Sequence, residues 1–192
     1  MSALTVVRAV LGDPLTEPLV RELTHEYVTR YGPGGHEEMA RYGTAEFAPP
    51  DGLLLLLLRD GVPVAGGAYR RHEDPRTAEV KRMWTAAAHR RQGLARRVLA
   101  ELESAARAAG YRRVFLTTGP RQPEAKGLYL AAGYTPLFDP DAAPTEFRPL
   151  PFEKHLPEKH LSEQHLPEQH QSEQHLPTTG TAAAAAGEAP TR

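Results

Sequence analysis

The sequence predicts an α/β domain with a mixed central β-sheet flanked by helices, and three features carry that reading. Two apolar β-type runs flank Asp60-Gly61, a strong hairpin signal, which makes them antiparallel neighbours. Two further extended runs, residues 77–85 and 112–118, are separated by a long amphipathic helical stretch, which implies parallel strands and a right-handed crossover. Near the start, a strand-like segment leads into a stretch whose apolar residues recur every fourth position, the spacing of a helix face.

Taken in order, residues 4–10 (LTVVRAV) form the first strand, and residues 14–30 a helix with Leu15, Leu19, Leu23 and Tyr27 along one stripe. Residues 32–50 begin GPGG and end PP, with a short helix expected near 36–42 and a mobile character expected for the whole segment. The six leucines from Leu53 to Leu58 favour a strand covered on both faces, and the run after Gly61 returns beside it. Residues 77–85 make the next strand. Residues 92–109 then present Leu94, Ala95, Val98, Leu99, Leu102, Ala105, Ala106 and Ala109 on one side of a helix ended by Gly110. Strand 112–118 follows, then a short helix with Pro123 in its first turn, Glu124 at the positive end of its dipole and Gly133 after its last turn. A final β pair, 134–138 with 146–156, closes the domain at seven strands and three principal helices.

Composition narrows the function. Of 192 residues, 40% are hydrophobic and 24% charged, and 23 Lys and Arg against 24 Asp and Glu leave a net charge of −1, so nothing favours a nucleic-acid partner. Cysteine is absent, which removes disulfide scaffolds, thiolate metal sites and Cys nucleophiles, and fits a reducing, cytoplasmic setting. No apolar run approaches the ~20 residues of a membrane span, so no membrane role is expected. The domain is expected to occupy residues 1–156. Residues 157–192 read as a disordered, low-complexity tail, because the pentads FEKHL, PEKHL, SEQHL, PEQHQ and SEQHL are followed by PTTGTAAAAAGEAPTR, with too little apolar area to offset chain entropy. His155, His160, His165, His170 and His175 recur every five residues, ~140° apart on a helix, which does not stack them as metal ligands, so no metal is expected.

One segment carries chemistry. Between the strand 77–85 and its helix lies HRRQGLARRVL, in which Arg90, Gly93 and Ala95 fit Arg/Gln-x-x-Gly-x-Gly/Ala. A loop entering a helix N-terminus offers free N–H groups and a partial positive charge, and small residues let a phosphate approach. Arg90 and Arg91 add charge-assisted donors suited to a pyrophosphate. The missing Lys-Ser/Thr excludes an NTPase P-loop.

AEVKRMWTAAAHRRQGLARRVL resembles the acetyl-CoA pyrophosphate motif of the GNAT N-acetyltransferase superfamily, and LTTGPRQPEAKGLYLAAGY resembles its second motif. The resemblance implies a single domain with about six to seven strands and a splayed parallel pair that holds acetyl-CoA as cosubstrate. It implies contacts to the pantetheine arm from Met83, Trp84 and Thr85. Pyrophosphate contacts would come from Arg90, Arg91, Gln92, Gly93, Leu94 and Ala95. Gln122 stands where many members place a cofactor-contacting Asn, and Thr85-Ala86-Ala87 replaces a common Val-x-Pro.

The resemblance also implies the reaction: transfer of an acetyl or other short acyl group from CoA to a primary amine, the acceptor being a small molecule by analogy with the superfamily. An alkyl ammonium with a pKa of ~10.4 is on the order of one part in a thousand neutral at pH 7, a handicap of roughly 4 kcal/mol that calls for a base or a water relay. Glu79 lies eleven residues before Arg90, where some members carry a glutamate base; its structural alternative is a strand carboxylate paired with Lys81 or Arg113. Tyr129 matches the general-acid tyrosine of the second motif, with packing on the sheet as its alternative. The serines include none in a Gly-x-Ser-x-Gly elbow, which favours direct transfer in a ternary complex over an acyl-enzyme. A non-catalytic CoA-binding regulatory or interaction module on the same fold is the competing expectation. A homodimer is common among similar proteins.

Overall fold

The six leucines alternate between two separate cores, and that division organises the molecule. In the computed structural model, which describes residues 3–141 and 148–157, they lie in strand β2 (Leu53–Arg59). Leu53, Leu55 and Leu57 enter one apolar cluster, and Leu54 and Leu56 the other. Each fully buried leucine is worth ~1.5–3 kcal/mol in transfer free energy, so a strand buried on both faces suits a central position. The sheet has seven strands: β1 (Leu4–Ala9), β2, β3 (Val62–Arg71), β4 (Thr77–Thr85), β5 (Arg113–Thr118), β6 (Thr135–Pro136) and β7 (Leu150–His155). They lie in the order β1-β2-β3-β4-β5-β7-β6, antiparallel except for the β4–β5 pair.

Helix α1 (Glu17–Tyr31) covers one face, entered through a one-turn 3-10 helix whose Asp13 side chain accepts from Leu15 N–H at 2.8 Å. Leu19 and Leu23 of its stripe are buried, while Leu15 is exposed and Tyr27 turns toward the cavity described below. Helix α3 (Leu94–Ala108) packs on the opposite face through Leu94, Val98, Leu99, Leu102 and Ala106. Tyr129 of α4 (Pro123–Ala131) joins that same cluster.

Residues 32–50 hold a 3-10 helix (Thr44–Phe47) that buries Phe47, and the short helix expected near 36–42 is present as α2 (Gly34–Ala40), seated on α1. The contact is backbone against backbone, since a Cβ on Gly35 would stand 2.5 Å from Val28 N, so only glycine permits it. The closing β pair is shorter than expected, β6 having two residues. Part of that expected pair, like the tail with its five-residue repeat, falls outside the described residues.

Candidate active site

The site begins where two parallel strands part. β4 and β5 pair only from Thr77 with Arg113 to Val80 with Leu116, although both strands continue. Beyond Val80, the edge of β4 that faces β5 has lost its ladder partner, and backbone groups there are open to a ligand. The opposite edge of β4 is distorted too. Gly66 of β3 pairs with Trp84 and Ala68 with Lys81, so Arg82 and Met83 together oppose the single Gly67, which is a β-bulge. Arg82 accommodates it at φ 59°, an uncommon conformation for a residue with a Cβ.

A cavity of about 880 Å3 opens at this divergence. Met83, Trp84 and Thr85 line it from β4. Trp84 is buried, and its indole N–H donates to Glu22 at 3.0 Å, so it is at once core and cleft wall. The Thr85 hydroxyl is buried without a hydrogen-bond partner among the described residues.

Arg90, Arg91, Gly93, Leu94 and Ala95 line the far end. Gly93 caps α3 at φ 76°, with open space where a Cβ would stand and no side-chain cap on the helix. The first intrahelical bond runs from Arg97 N–H to Gly93 O at 3.1 Å, which leaves the N–H groups of the preceding turn free for an anion. Arg91 is also left-handed, at φ 62°, and such turns gather amide groups into a concave anion nest. Arg96 adds a third cation to this end. An anion nest, an unpaired strand edge and an orphaned hydroxyl together fit a ligand with a pyrophosphate at one end and an amide-bearing arm along the strand.

The other wall is tied down by charge. Arg90 Nη2 pairs with Glu26 Oε2 at 2.9 Å, and Gln122 Nε2 donates to Glu26 Oε1 at 3.3 Å. Arg30 bonds Glu124 and the Arg121 carbonyl, and Tyr31 Oη accepts from Arg121 N–H at 3.1 Å. Thus α1 is laced to the loop before α4. Glu22, Glu26 and Arg30 recur every fourth residue, a pattern legible in the sequence whose partners are not.

The expected site residues divide. Gln122 lines the cavity, with its amide oxygen near the Thr118 hydroxyl at 3.2 Å and accepting from Gly119 N–H at 3.1 Å. Tyr129 lines it too, buried against Tyr134 and Phe152, and its hydroxyl makes no protein hydrogen bond among the described residues. Burial, with Tyr27 adding to it, holds the Tyr129 phenol well above the ordinary tyrosine range, so it stays protonated. Tyr27 is likewise pushed up to about 12 by burial, against the pull of Arg82.

Two residues stand apart from the cavity wall. Gln92 points back to β2, its Oε1 accepting from Arg59 Nη1 at 3.0 Å. Glu79 is buried but held by Arg70 Nε and Lys81 Nζ, each at 2.9 Å; Arg113 instead serves Glu153 and Asp74. Glu38, Arg41 and Arg82, which sequence reasoning did not single out, complete the wall on the α2 side together with Tyr27 and Lys81, which it read as a helix-stripe residue and as an ion-pair partner of Glu79. Among the described residues, no cluster of three or more His, Asp or Glu is placed to hold a metal, and no helix is long and apolar enough to cross a membrane.

Known proteins resemble this chain in sequence pattern and fold. The model of the acetyltransferase (GNAT) family matches residues 18–134. A Klebsiella pneumoniae protein described as an acyl-CoA N-acyltransferase is 23% identical, with a TM-score of 0.62 over 80% of this chain and 97% of its own. An acetyltransferase from Thermus thermophilus is 23% identical, with a TM-score of 0.59 over 81% and 100%. A Salmonella typhimurium protein described as an acetyltransferase, solved with its cofactor acetyl-CoA, is 17% identical, with a TM-score of 0.61 over 82% and 96%. At these identities the likeness shows the fold. A search of curated proteins finds no match.

Proposed function

The chain belongs to the acetyltransferase (GNAT) family, and from that premise we propose that it transfers an acetyl or other short acyl group from CoA to a primary amine of a small molecule, by direct attack in a ternary complex. The observation that carries this reading is the continuity of one cavity: an anion nest at the start of α3, a splayed strand edge, and a buried, protonated tyrosine all open onto it.

When bound, acetyl-CoA supplies a thioester carbonyl as electrophile. In this proposal the amide groups of Gly93, Leu94 and Ala95 hold the pyrophosphate, with Arg90 and Arg91 adding charge. Arg90 would exchange Glu26 for phosphate. Gln92 contributes backbone alone, since its side chain is engaged by Arg59. The free edge of β4 at Met83, Trp84 and Thr85 orients the arm and donates to the thioester oxygen, where negative charge develops. Gln122 closes the opposite side.

Tyr129 is the proposed proton donor to the departing sulfur. A thiol near ~8.5 is a stronger acid than a phenol near ~10, and burial widens that gap, so donation is concerted with C–S cleavage or takes the form of a hydrogen bond to the developing thiolate. Glu79 is the proposed base through water, a role that competes with its pairing to Arg70 and Lys81.

The first test is calorimetric titration of acetyl-CoA into the protein and into Gly93→Glu, followed by a free-thiol screen over amines. Binding that the variant loses, together with turnover, is the expected result. Absence of binding to the wild type overturns the reading, and binding without turnover on any amine favours a regulatory CoA-binding module.

A further inference from the structure

Successive residues of a strand face opposite sides of the sheet. The bulge in β4 breaks that rule at one step. Ala78, Val80 and Met83 pack toward the core under α3, whereas Lys81 and Arg82, adjacent in sequence, turn to the same side. The Lys81 ammonium lies 5.1 Å from the centre of the Tyr42 ring, and the Arg82 guanidinium 5.6 Å from that of Phe47, two rings in edge contact with each other. Both cations line the cavity on the α2 side, away from the anion nest of α3.

Their balance of charge is unequal. On this wall Glu38 is taken by Arg41 at 3.1 Å, and Glu79 is shared between Lys81 and Arg70, the latter also held by Glu46 at 2.7 Å. Among the described residues, Arg82 is the cation in excess on this wall. It is 5% exposed, and its terminal nitrogens go to uncharged acceptors of α2, the carbonyls of Glu38 at 3.4 Å and Met39 at 2.6 Å and the Met39 sulfur at 3.0 Å. Its Nε is buried with no partner, and no carboxylate pairs with it among the described residues. A buried guanidinium without a counter-ion is costly, and an uncommon backbone conformation that presents it beside a reaction cleft is the kind of strain that functional sites retain.

We propose that the acceptor carries an anionic group, a carboxylate or a phosphate, alongside its amine, and that Lys81 and Arg82 at the bulge of β4 receive it. The amine is thereby directed toward the free edge of β4, where the thioester carbonyl is expected. This deepens the acyl-transfer reading and rests on it.

The test compares matched acceptors at saturating acetyl-CoA: phenylalanine with phenethylamine, leucine with 3-methylbutylamine, and phosphoethanolamine with ethanolamine. The expected result is a preference of about tenfold or more in kcat/KM for the anionic member of at least one pair, since a site built around a polar group rejects the analogue that lacks it. The amino-acid and phosphate pairs distinguish the two kinds of anion. In Lys81→Met and Arg82→Met that preference should shrink toward one, chiefly through KM of the anionic acceptor. The Lys81 variant and the wild-type ratios decide the matter if the Arg82 variant does not fold. Equal or better use of the neutral amines, an unchanged preference in the variants, or acetyl-CoA binding with none of the six compounds acetylated overturns the inference. Loss of acetyl-CoA binding itself would overturn the acyl-transfer reading beneath it.

Discussion

Tyr129 and Glu79 are both buried, yet they sit in opposite circumstances. Tyr129 lines the cavity, its hydroxyl has no protein partner among the described residues, and burial keeps it protonated. Tyr129→Phe should therefore lower kcat by about 10²–10⁴-fold, the usual worth of a positioned acid, with little change in acetyl-CoA affinity by calorimetry. Full turnover in the variant would reduce the residue to packing against Phe152. Because the phenol is shifted upward, the wild-type rate should not fall between pH 8 and 10 on account of Tyr129. Glu79 is bound to two cations and lies off the cavity wall. Glu79→Gln removes the charge but keeps a hydrogen-bond acceptor, at a cost of about 1–3 kcal/mol in stability. If the carboxylate also draws a proton through water, the rate loss will be greatest at low pH. A lower melting temperature with an unaltered pH profile would assign Glu79 to the ion pairs alone. Its position on a strand was legible from sequence. Its partner Arg70 was not, because Arg70 comes from the neighbouring strand in a register that follows a bulge.

At the scale of elements, the link between sequence and site is the α1–α2 contact. Gly35 lets the backbones meet, and a methyl there would strike Val28 N and Tyr27 C at 2.5 and 2.6 Å. Gly35→Ala should cost about 1–3 kcal/mol, an overpacking penalty that thermal unfolding reads as a lower melting temperature. Since α2 holds Arg82 through the carbonyls of Glu38 and Met39, acceptor KM should rise more than the dissociation constant of acetyl-CoA. A variant with wild-type melting and KM would mean that α2 adapts freely. Helices α1 and α3, and the parallel strands on either side of α3, were legible because their apolar periods are long and regular. Within residues 32–50 the short helix was legible near 36–42, two residues later than its observed start at Gly34, because Pro and Gly blur its boundary and its stability comes from docking rather than from propensity.

Across the whole molecule, buried phenols govern behaviour in alkali. Tyr129 and Tyr134 titrate above the ordinary tyrosine range, both mainly through burial, with Glu103 adding to the effect on Tyr134. An unfolded chain begins to lose these protons near pH ~10, whereas the folded chain keeps them, so the unfolded state binds fewer protons and stability falls as pH rises. Each phenol contributes about 1 kcal/mol of loss between pH 10 and 11. Urea midpoints at pH 8.5, 10 and 11 should decline accordingly, and Tyr134→Phe should flatten the decline; a constant midpoint would refute the linkage. The α/β class, the doubly covered leucine strand, the parallel crossover and the glycine turn that opens α3 are all written in the order of residues, because each rests on local periodicity or on chemistry within a few positions. Folding in three dimensions was needed to turn Gln92 to Arg59, to pair Glu79 with Arg70, and to swing Arg82 beside Lys81 at a bulge. Those outcomes depend on side-chain direction and cross-strand register, which contacts distant in sequence impose.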